Sequence, residues 1–365
     1  MRVFLPMLLV CGLLAAQQTV RLPATQQPPS PPEEPPGYTF PITVQNVQAL
    51  VTVFDKAGGY VNNIRPEQFH LFDDDQEQNI NVDVSYTPIS MVILIQANAH
   101  VEGLLPQVNK IGNLIGPQVI GDAGESAVIA YDARVRVLQD FTTDSSKITE
   151  AVKKIHPGSE SNRMIDAVMD GARMLRSRPR DRRRIMLLIG ETRDLGSEGR
   201  AREALIDLQT ANIVFYPIDM SRFITTLTAP VKPARPDTLP PAMHPMPMNV
   251  PATPNNVEQT YQVNERAEFV PALLEIYRDV KGIFVQNPVE VFTRGTGGTA
   301  YGFHSQHTLE NALTEIGEQL HSEYTISYAP NNKDVAGFHP IRVEIQGHPE
   351  AAKIVTKPGY YLGPK

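Results

Sequence analysis

The 365-residue chain contains no tryptophan and a single cysteine, Cys11. One cysteine excludes a disulfide framework, a zinc ribbon and an iron–sulfur cluster, because each of these needs several cysteines. Positive charge is also scarce: 33 Lys and Arg stand against 40 Asp and Glu, which gives a formal net charge of −7. Proteins that bind nucleic acids present a basic surface, so we expect no nucleic-acid partner.

Residues 1–16 have the build of a secretory signal peptide. Arg2 precedes an apolar run that closes on the small residues Ala15 and Ala16, and the run is too short to span a membrane as a mature helix. We therefore expect cleavage near Ala16 and export to the periplasm, the envelope or the medium. Lipidation of Cys11 is the alternative. No later run reaches the length of a membrane span, so we expect no transmembrane segment in the mature chain.

Proline is abundant, and half of the 32 prolines fall in residues 17–40 and 229–254. Residues 17–40 are rich in Pro, Gln and Glu, so they are interpreted as an extended linker. The second group lies within an insert at residues 221–260, which also lacks a pattern that could bury apolar surface and is expected to be disordered or draped over the surface. Residues 41–87 show strand-like alternation around glycine and acidic turns, which predicts a small, Ig-like β unit.

Residues 88–330 change to the pattern of an α/β domain. Residues 91–95 are a continuous apolar run, typical of a parallel strand covered on both faces. Similar runs are found at residues 126–131, 184–189 and 213–218. The segments between them place apolar residues at helical spacing, which predicts βαβ crossovers. The predicted fold class is therefore α/β, with a doubly wound, mostly parallel, Rossmann-like sheet and a small flanking β unit.

Further strands, helices and a turn are predicted in the remainder of this domain and after it. Residues 135–141 are expected to pair antiparallel as a reversed edge strand. After the insert, a helix is predicted around residues 269–280, followed by a tight turn at Gly297 and Gly298. A helix at residues 309–321 and a strand at 324–328 complete the α/β part. Residues 331–365 alternate again, so we expect C-terminal strands that pack on the β unit.

Parallel sheets bind ligands beyond the carboxyl ends of their strands, and several motifs there and elsewhere resemble one family. The chain resembles the bacterial exported VWFA-related family, which is built on a von Willebrand factor type A domain. Its leader, its Pro/Gln linker and the phrase at residues 66–74 (PEQFHLFDD) match that family. The later phrases that match are at residues 296–298 (TGG), 322–330 (SEYTISYAP) and 357–361 (KPGYY). The resemblance covers nearly all of residues 40–362.

The resemblance implies a metal-ion-dependent adhesion site, in which an Asp-x-Ser-x-Ser loop, a Thr and a later Asp hold Mg²⁺ through oxygen ligands. The corresponding positions in this chain, in that order, are Gln96, Asn98, His100, Asn162 and Glu191. None of the five expected residues is present, although Asp194 offers another carboxylate nearby. Because Mg²⁺ gives up its waters reluctantly, we expect a metal-free polar crevice and no cofactor. Conventional Mg²⁺ binding, or another divalent cation held by His100 and Glu191, remains the alternative.

No nucleophile, base and orienting group occur in a recognisable arrangement, so we expect no enzymatic activity. The basic run at residues 176–184 (RSRPRDRRR) is interpreted as a solvated loop, with a nucleic acid or an acidic polymer as the alternative ligand. The preferred hypothesis is an exported binding protein that presents the top of the α/β domain to a protein or a cell-envelope component. An envelope scaffold that contacts its partner through residues 229–254 is a further hypothesis. The sequence does not indicate an oligomeric state.

Overall fold

The apolar runs in the middle of the chain form strands, and short strands flank them on both sides in the sequence. The computed structural model describes residues 46–83, 87–110, 112–221, 287–303, 305–332 and 335–362. The predicted leader, linker and helix at residues 269–280 lie outside these residues, as does the insert apart from Ser221. The strands are β1 Val47–Phe54, β2 Phe69–Asp73, β3 Gln76–Glu77, β4 Asn81–Asp83, β5 Ile89–Gln96, β6 Glu125–Tyr131, β7 Val135–Thr142, β8 Arg183–Gly190, β9 Ile213–Asp219, β10 Tyr301–Gly302, β11 Tyr324–Tyr328, β12 Gly337–Ile345, β13 Lys353–Val355 and β14 Gly359–Leu362.

Helices connect most of the central strands. The α-helices among the described residues are α1 Leu105–Val108, α2 Gly112–Leu114, α3 Ser145–Lys153, α4 Met164–Arg176, α5 Ala201–Thr210, α6 Pro288–Thr296 and α7 Gln306–Ser322. Shorter helical segments are Pro66–Gln68, Ala99–Leu104 and Ile115–Ile120. Within the described part of the chain, no helix has both the length and the apolar character that crossing a bilayer requires.

The central sheet has six strands in the order β10-β9-β8-β5-β6-β7. All neighbouring strands are parallel except β7, which pairs antiparallel with β6 and forms one edge, as predicted for residues 135–141. The sheet is doubly wound: the chain runs outward from β5 to β7 on one side, and then from β8 to β10 on the other. The predicted fold class, α/β with a mostly parallel sheet and a flanking β part, is confirmed.

All eight residues of the central strand β5 are buried, and its middle, residues 91–95, is apolar at every position. Met91 and Ile93 face one core, to which α7 contributes Leu309. Val92 faces the opposite core with Val168 of α4 and with residues of α5 and α6. Because successive strand residues point to opposite faces, the middle of a strand covered by helices on both sides favours apolar side chains at every position. The polar residues Ser90 and Gln96 lie near its two ends.

The flanking β part is a sandwich of two four-stranded sheets, with the orders β13-β1-β11-β4 and β14-β12-β2-β3. Strands from the two ends of the described chain pair antiparallel: β1 pairs with β11 and β13, and β2 with β12. Their inward side chains, among them Val51, Leu71 and Ile326, form a separate core. The assignment of residues 324–328 to the α/β domain was wrong, because β11 hydrogen-bonds to β1 and β4 in the sandwich.

Helix α6 was not predicted, although its sequence carries clear end signals. Asn287 accepts a hydrogen bond from the backbone N–H of Glu290 at 3.1 Å, and Pro288 occupies the first turn. Gly297 ends the helix in the left-handed conformation, with φ of 82°. The predicted tight turn at Gly297 is therefore the C-terminal cap of α6.

Candidate functional site

The strand order places a crevice at the carboxyl ends of β5 and β8. These two strands are neighbours, and the chain leaves them toward opposite sides of the sheet, which is the point where open α/β sheets bind ligands. Gln96 ends β5 and Gly190 ends β8, so Gln96 and Glu191 meet across the crevice. A Cβ atom on Gly190 would lie 2.8 Å from Gln96 Oε1, which is closer than real Cβ contacts allow. The missing side chain at residue 190 thus makes room for the Gln96 amide.

Gln96 is the centre of a buried polar network. Its Oε1 accepts a hydrogen bond from the backbone N–H of Glu191 at 2.6 Å, which fixes the orientation of the amide. The Nε2 group consequently points to two oxygens and donates to Glu191 Oε2 at 2.7 Å and to Asn98 Oδ1 at 2.9 Å. An amide N–H₂ group therefore lies between the oxygens of Asn98 and Glu191.

The neighbours of Gln96 are fixed in turn by the loops around them. Asn98 is fully buried, and its Nδ2 donates to the backbone carbonyl of Glu160 at 3.1 Å. His100 is half-exposed, and its Nδ1 lies 3.6 Å from Glu191 Oε2, beyond hydrogen-bond distance. The structure thus brings Gln96, Asn98 and Glu191 into direct contact, with His100 at the rim.

Asn162 and Asp194 form a second group beside the first. The buried Asn162 donates from Nδ2 to the carbonyl of Arg193 at 3.0 Å and accepts from the backbone N–H of Leu195 at 3.0 Å. Asp194 accepts from the N–H of Ile165 at 3.0 Å, in the first turn of α4, and from the Ser197 hydroxyl at 2.6 Å. A carboxylate at a helix N-terminus is stabilised by the unpaired N–H groups and the helix dipole. Asp194 therefore acts as the cap of α4.

The side chains at this edge do not fit Mg²⁺. A magnesium ion needs about six oxygen ligands in near-octahedral arrangement. Here a hydrogen-bond donor, Gln96 Nε2, lies between the two nearest oxygens, and Asp194 is occupied by the end of α4. Glu191 is left as the one carboxylate of the first group. The positively polarised N–H₂ of Gln96 takes the place that a cation would need.

Two residues of this site were missed by the sequence analysis. Tyr131 ends β6, and its fully buried hydroxyl has no hydrogen-bond partner among the described residues. Burial, together with the charges of Glu191 and Asp194, raises the pKa of Tyr131 well above its usual value. Leu195 is 56% exposed, one of the few large apolar side chains that reach solvent. The sequence did offer a signal that Leu195 is exposed. It directly follows Asp194 in the loop after a strand, where an apolar side chain has no core to pack into.

Comparisons with known proteins find only distant similarity. No protein-family model matches the chain, and no curated protein matches it. Among solved structures it is similar to the conserved hypothetical protein BatB from Bacteroides thetaiotaomicron, with 13% identity and a TM-score of 0.31 over 36% of this chain and 66% of that one. It is also similar to the vWF domain of the type V pili tip protein Mfa5 from Porphyromonas gingivalis, with 16% identity and a TM-score of 0.26 over 34% and 49%.

A third similar structure is an aerotolerance-related membrane protein from Bacteroides fragilis, with 13% identity and a TM-score of 0.36 over 63% of this chain and 98% of that one. The BatB and Mfa5 matches each cover less than two thirds of the solved chain. Of these three descriptions, that of Mfa5 names a vWF domain. With such low identities and TM-scores, we take no functional inference from them.

Proposed function

We propose that the chain is an exported, non-enzymatic binding protein that presents the carboxyl edge of its central sheet to a protein or cell-envelope partner, without a bound metal ion. The contact surface, called the top face below, consists of the exposed His100 and Leu195 and the partly exposed Glu191 and Asp194, held in place from beneath by the buried Gln96, Asn98 and Asn162. Export itself rests on the signal-peptide pattern of residues 1–16.

The observation that carries the proposal is the hydrogen-bonded arrangement of Gln96, Asn98 and Glu191. Buried polar groups that satisfy one another hold their loops in one conformation, so the top face is pre-organised before a partner arrives. The exposed Leu195 next to this network supplies an apolar anchor, and His100 supplies a polar rim. A rigid polar surface with one apolar anchor suits a protein partner.

A non-enzymatic role is favoured by the chemistry of the same side chains. Asn162 and Asp194 are engaged by backbone groups and by the end of α4, which leaves Glu191 as the carboxylate nearest to the crevice. Within the described top face, Glu191 pairs with an amide rather than with a nucleophile, so no proton-transfer pair is assembled there.

Two other functions give distinct outcomes in an experiment. Metal-dependent adhesion would use His100 and Glu191, whose nearest atoms lie 3.6 Å apart. The scaffold hypothesis assigns partner contact to residues 229–254, which lie outside the described part of the chain.

The test is capture of partners from the cell envelope by the mature protein, with and without a chelator, using Leu195→Asp and a matched control. Val137→Asp is that control, because Val137 is 52% exposed on the edge strand β7, away from the top face. We expect Leu195→Asp to lose a partner that Val137→Asp retains, with no effect of chelator. Loss on chelation would favour the metal-dependent alternative. Equal capture by both variants, lost on deletion of residues 229–254, would replace the proposal with the scaffold hypothesis.

A further inference from the structure

A cavity of about 230 Å³ lies at the opposite edge of the central sheet from the top face. Arg183, the first residue of β8, and Ile213, the first residue of β9, line it on one side. Gln48 of β1 and Thr325 of β11 line it on the other. The cavity therefore lies between the amino ends of the parallel strands and the β sandwich, far along the strands from Gln96.

The basic run at residues 176–184 contributes several of the lining residues. The solvated loop interpreted from the sequence holds for part of it: Arg176 and Arg180 are exposed, whereas other arginines of the run are partly buried. Arg178 donates to both carboxylate oxygens of Glu125 at 2.7 and 2.8 Å, and Arg182 bonds Ser90 at 2.8 Å and lies 3.3 Å from Glu125. These two guanidinium groups therefore share one carboxylate, Glu125, at the start of β6.

Two further arginines keep unused donors inside the cavity wall. The Arg183 side chain is only 10% exposed; it pairs with Glu323 through its terminal nitrogen, but its Nε–H has no partner. Arg184 donates to the backbone carbonyls of Ala211 at 2.9 Å and Arg178 at 2.7 Å, and its Nε–H is likewise buried without a partner. A buried N–H without an acceptor costs free energy and calls for an acceptor that the chain does not itself supply.

Lys357 adds a third unused donor. It is 5% exposed, lines the cavity, and makes no hydrogen bond or ion pair with any residue that the structure describes. Burial lowers the pKa of Lys357 to about 8, a shift that the charge of Asp73 partly opposes. At neutral pH the ammonium group is therefore still mostly charged although it is buried. A buried charge without a partner costs free energy, and such a charge is typical of a site that binds a counter-ion.

The remaining charges of the wall leave a net positive excess. Arg180 and the two acids Asp83 and Asp181 complete the charged lining. Five cationic and two acidic side chains line the cavity. Arg182 and Arg183 are also paired with Glu125 and Glu323, whereas Arg184 and Lys357 have no carboxylate bonded to them. Field lines concentrate in a low-dielectric cleft lined by one sign of charge, which favours entry of an anion.

We propose that this cavity binds a small oxyanion, a phosphate or carboxylate group on a molecule small enough to be enclosed, at Lys357 and beside Arg183 and Arg184. An oxygen of such a group would accept from the Lys357 ammonium, and the charges of the two arginines in the wall would add to the attraction. The volume is several times the roughly 30 Å³ that one water molecule occupies in liquid, so an anion with a short carbon chain also fits. The site is independent of the proposed partner-binding face.

The test is isothermal titration calorimetry of the full mature chain, dialysed free of anions that carry phosphate or carboxylate, with inorganic phosphate in one arm and succinate in the other. The variant is Lys357→Met, and the control is Lys153→Met, an exposed lysine at the end of α3 that changes the net charge equally. Lys357→Met removes a buried charge rather than a packed apolar group, so we expect it to fold.

We expect saturable binding of one ligand per chain in at least one arm, and the arm that responds identifies phosphate or carboxylate as the preferred group. Lys357→Met should weaken that binding by roughly tenfold or more, since hydrogen bonds from charged donors are the strong ones, while Lys153→Met should leave it unchanged. Absence of saturable heat in both arms at millimolar ligand would overturn the proposal and leave a water-filled cavity. So would equal affinity of wild type and Lys357→Met.

Discussion

Replacing Gln96 by glutamate tests the central network with an almost isosteric change. Gln96 Nε2 donates to Glu191 Oε2 at 2.7 Å, so Gln96→Glu places two carboxylates in contact in a buried crevice. Two like charges at about 3 to 4 Å repel by roughly 4 to 6 kcal/mol at an effective dielectric constant of about 20. The native state avoids this repulsion by holding one proton on the pair.

The cost of holding this proton sets how much stability Gln96→Glu loses and how that loss depends on pH. Keeping one glutamic acid protonated at pH 7, against an ordinary pKa of about 4.3, costs about 4 kcal/mol at about 1.4 kcal/mol per pH unit. The folded variant binds one proton more than the unfolded chain, so its stability relative to wild type falls as the pH rises. We expect Gln96→Glu to be about 4 kcal/mol less stable at pH 7 and close to wild type near pH 4.

The measurement is urea unfolding of wild type and variant at several pH values in the presence of chelator. Gln96→Glu/Glu191→Gln is the control, because it keeps one amide and one carboxylate and should recover wild-type stability within about 1 kcal/mol. Added divalent cation should also stabilise the single variant, since two carboxylates then face each other. A single variant as stable as wild type at pH 7, with no dependence on pH, would refute the assignment of Gln96 as the donor between Asn98 and Glu191.

Three further changes probe other parts of the fold by urea unfolding. Lys357→Met should raise stability at pH 7 by about 3 kcal/mol, because the buried lysine has its pKa lowered from 10.5 to about 8. Between pH 8 and 10.5 the unfolded wild-type chain binds more protons than the folded one, so wild-type stability rises with pH and the advantage of Lys357→Met should vanish. A stability difference that stays constant with pH would contradict the lowered pKa of Lys357. Tyr360→Phe should cost about 2 kcal/mol, because its hydroxyl donates to the buried Asp73 carboxylate at 2.8 Å, and an unchanged midpoint would contradict this. Gly298→Ala should cost about 2 kcal/mol or more, because its Cβ would lie 2.0 Å from the Phe215 carbonyl oxygen, and wild-type stability would show that the backbone yields freely.

Local apolar patterns were sufficient to predict the central sheet. Residues 91–95 are apolar at every position because helices cover both faces of β5, and this requirement is visible in the sequence alone. The end of that strand then placed Gln96 and Asn98 at the crevice, and the end of β8 placed Glu191 opposite them. Parallel strands end at one edge, so these positions followed from the fold class.

Long-range pairings could not be predicted in the same way. Strand β11 follows α7 directly, as a strand of the α/β domain would, but pairs with β1 nearly 280 residues earlier. Asp194 accepts a hydrogen bond from the N-terminal end of α4, and this contact depends on how two loops approach each other in space. Three arginines of the basic run pair with Glu125 and Glu323, which lie far from it in sequence. Helix α6 was missed despite local signals, its Asn-Pro start and its glycine end.

Calorimetric titration of the wild-type mature protein with Mg²⁺, Mn²⁺, Ca²⁺ and Zn²⁺ tests most directly whether the Gln96 amide has replaced a cation. Because the Nε2 group already donates to Asn98 and Glu191, we expect no saturable heat with any of the four ions. A saturable signal for one ion per chain that disappears in Glu191→Gln would contradict the metal-free top face.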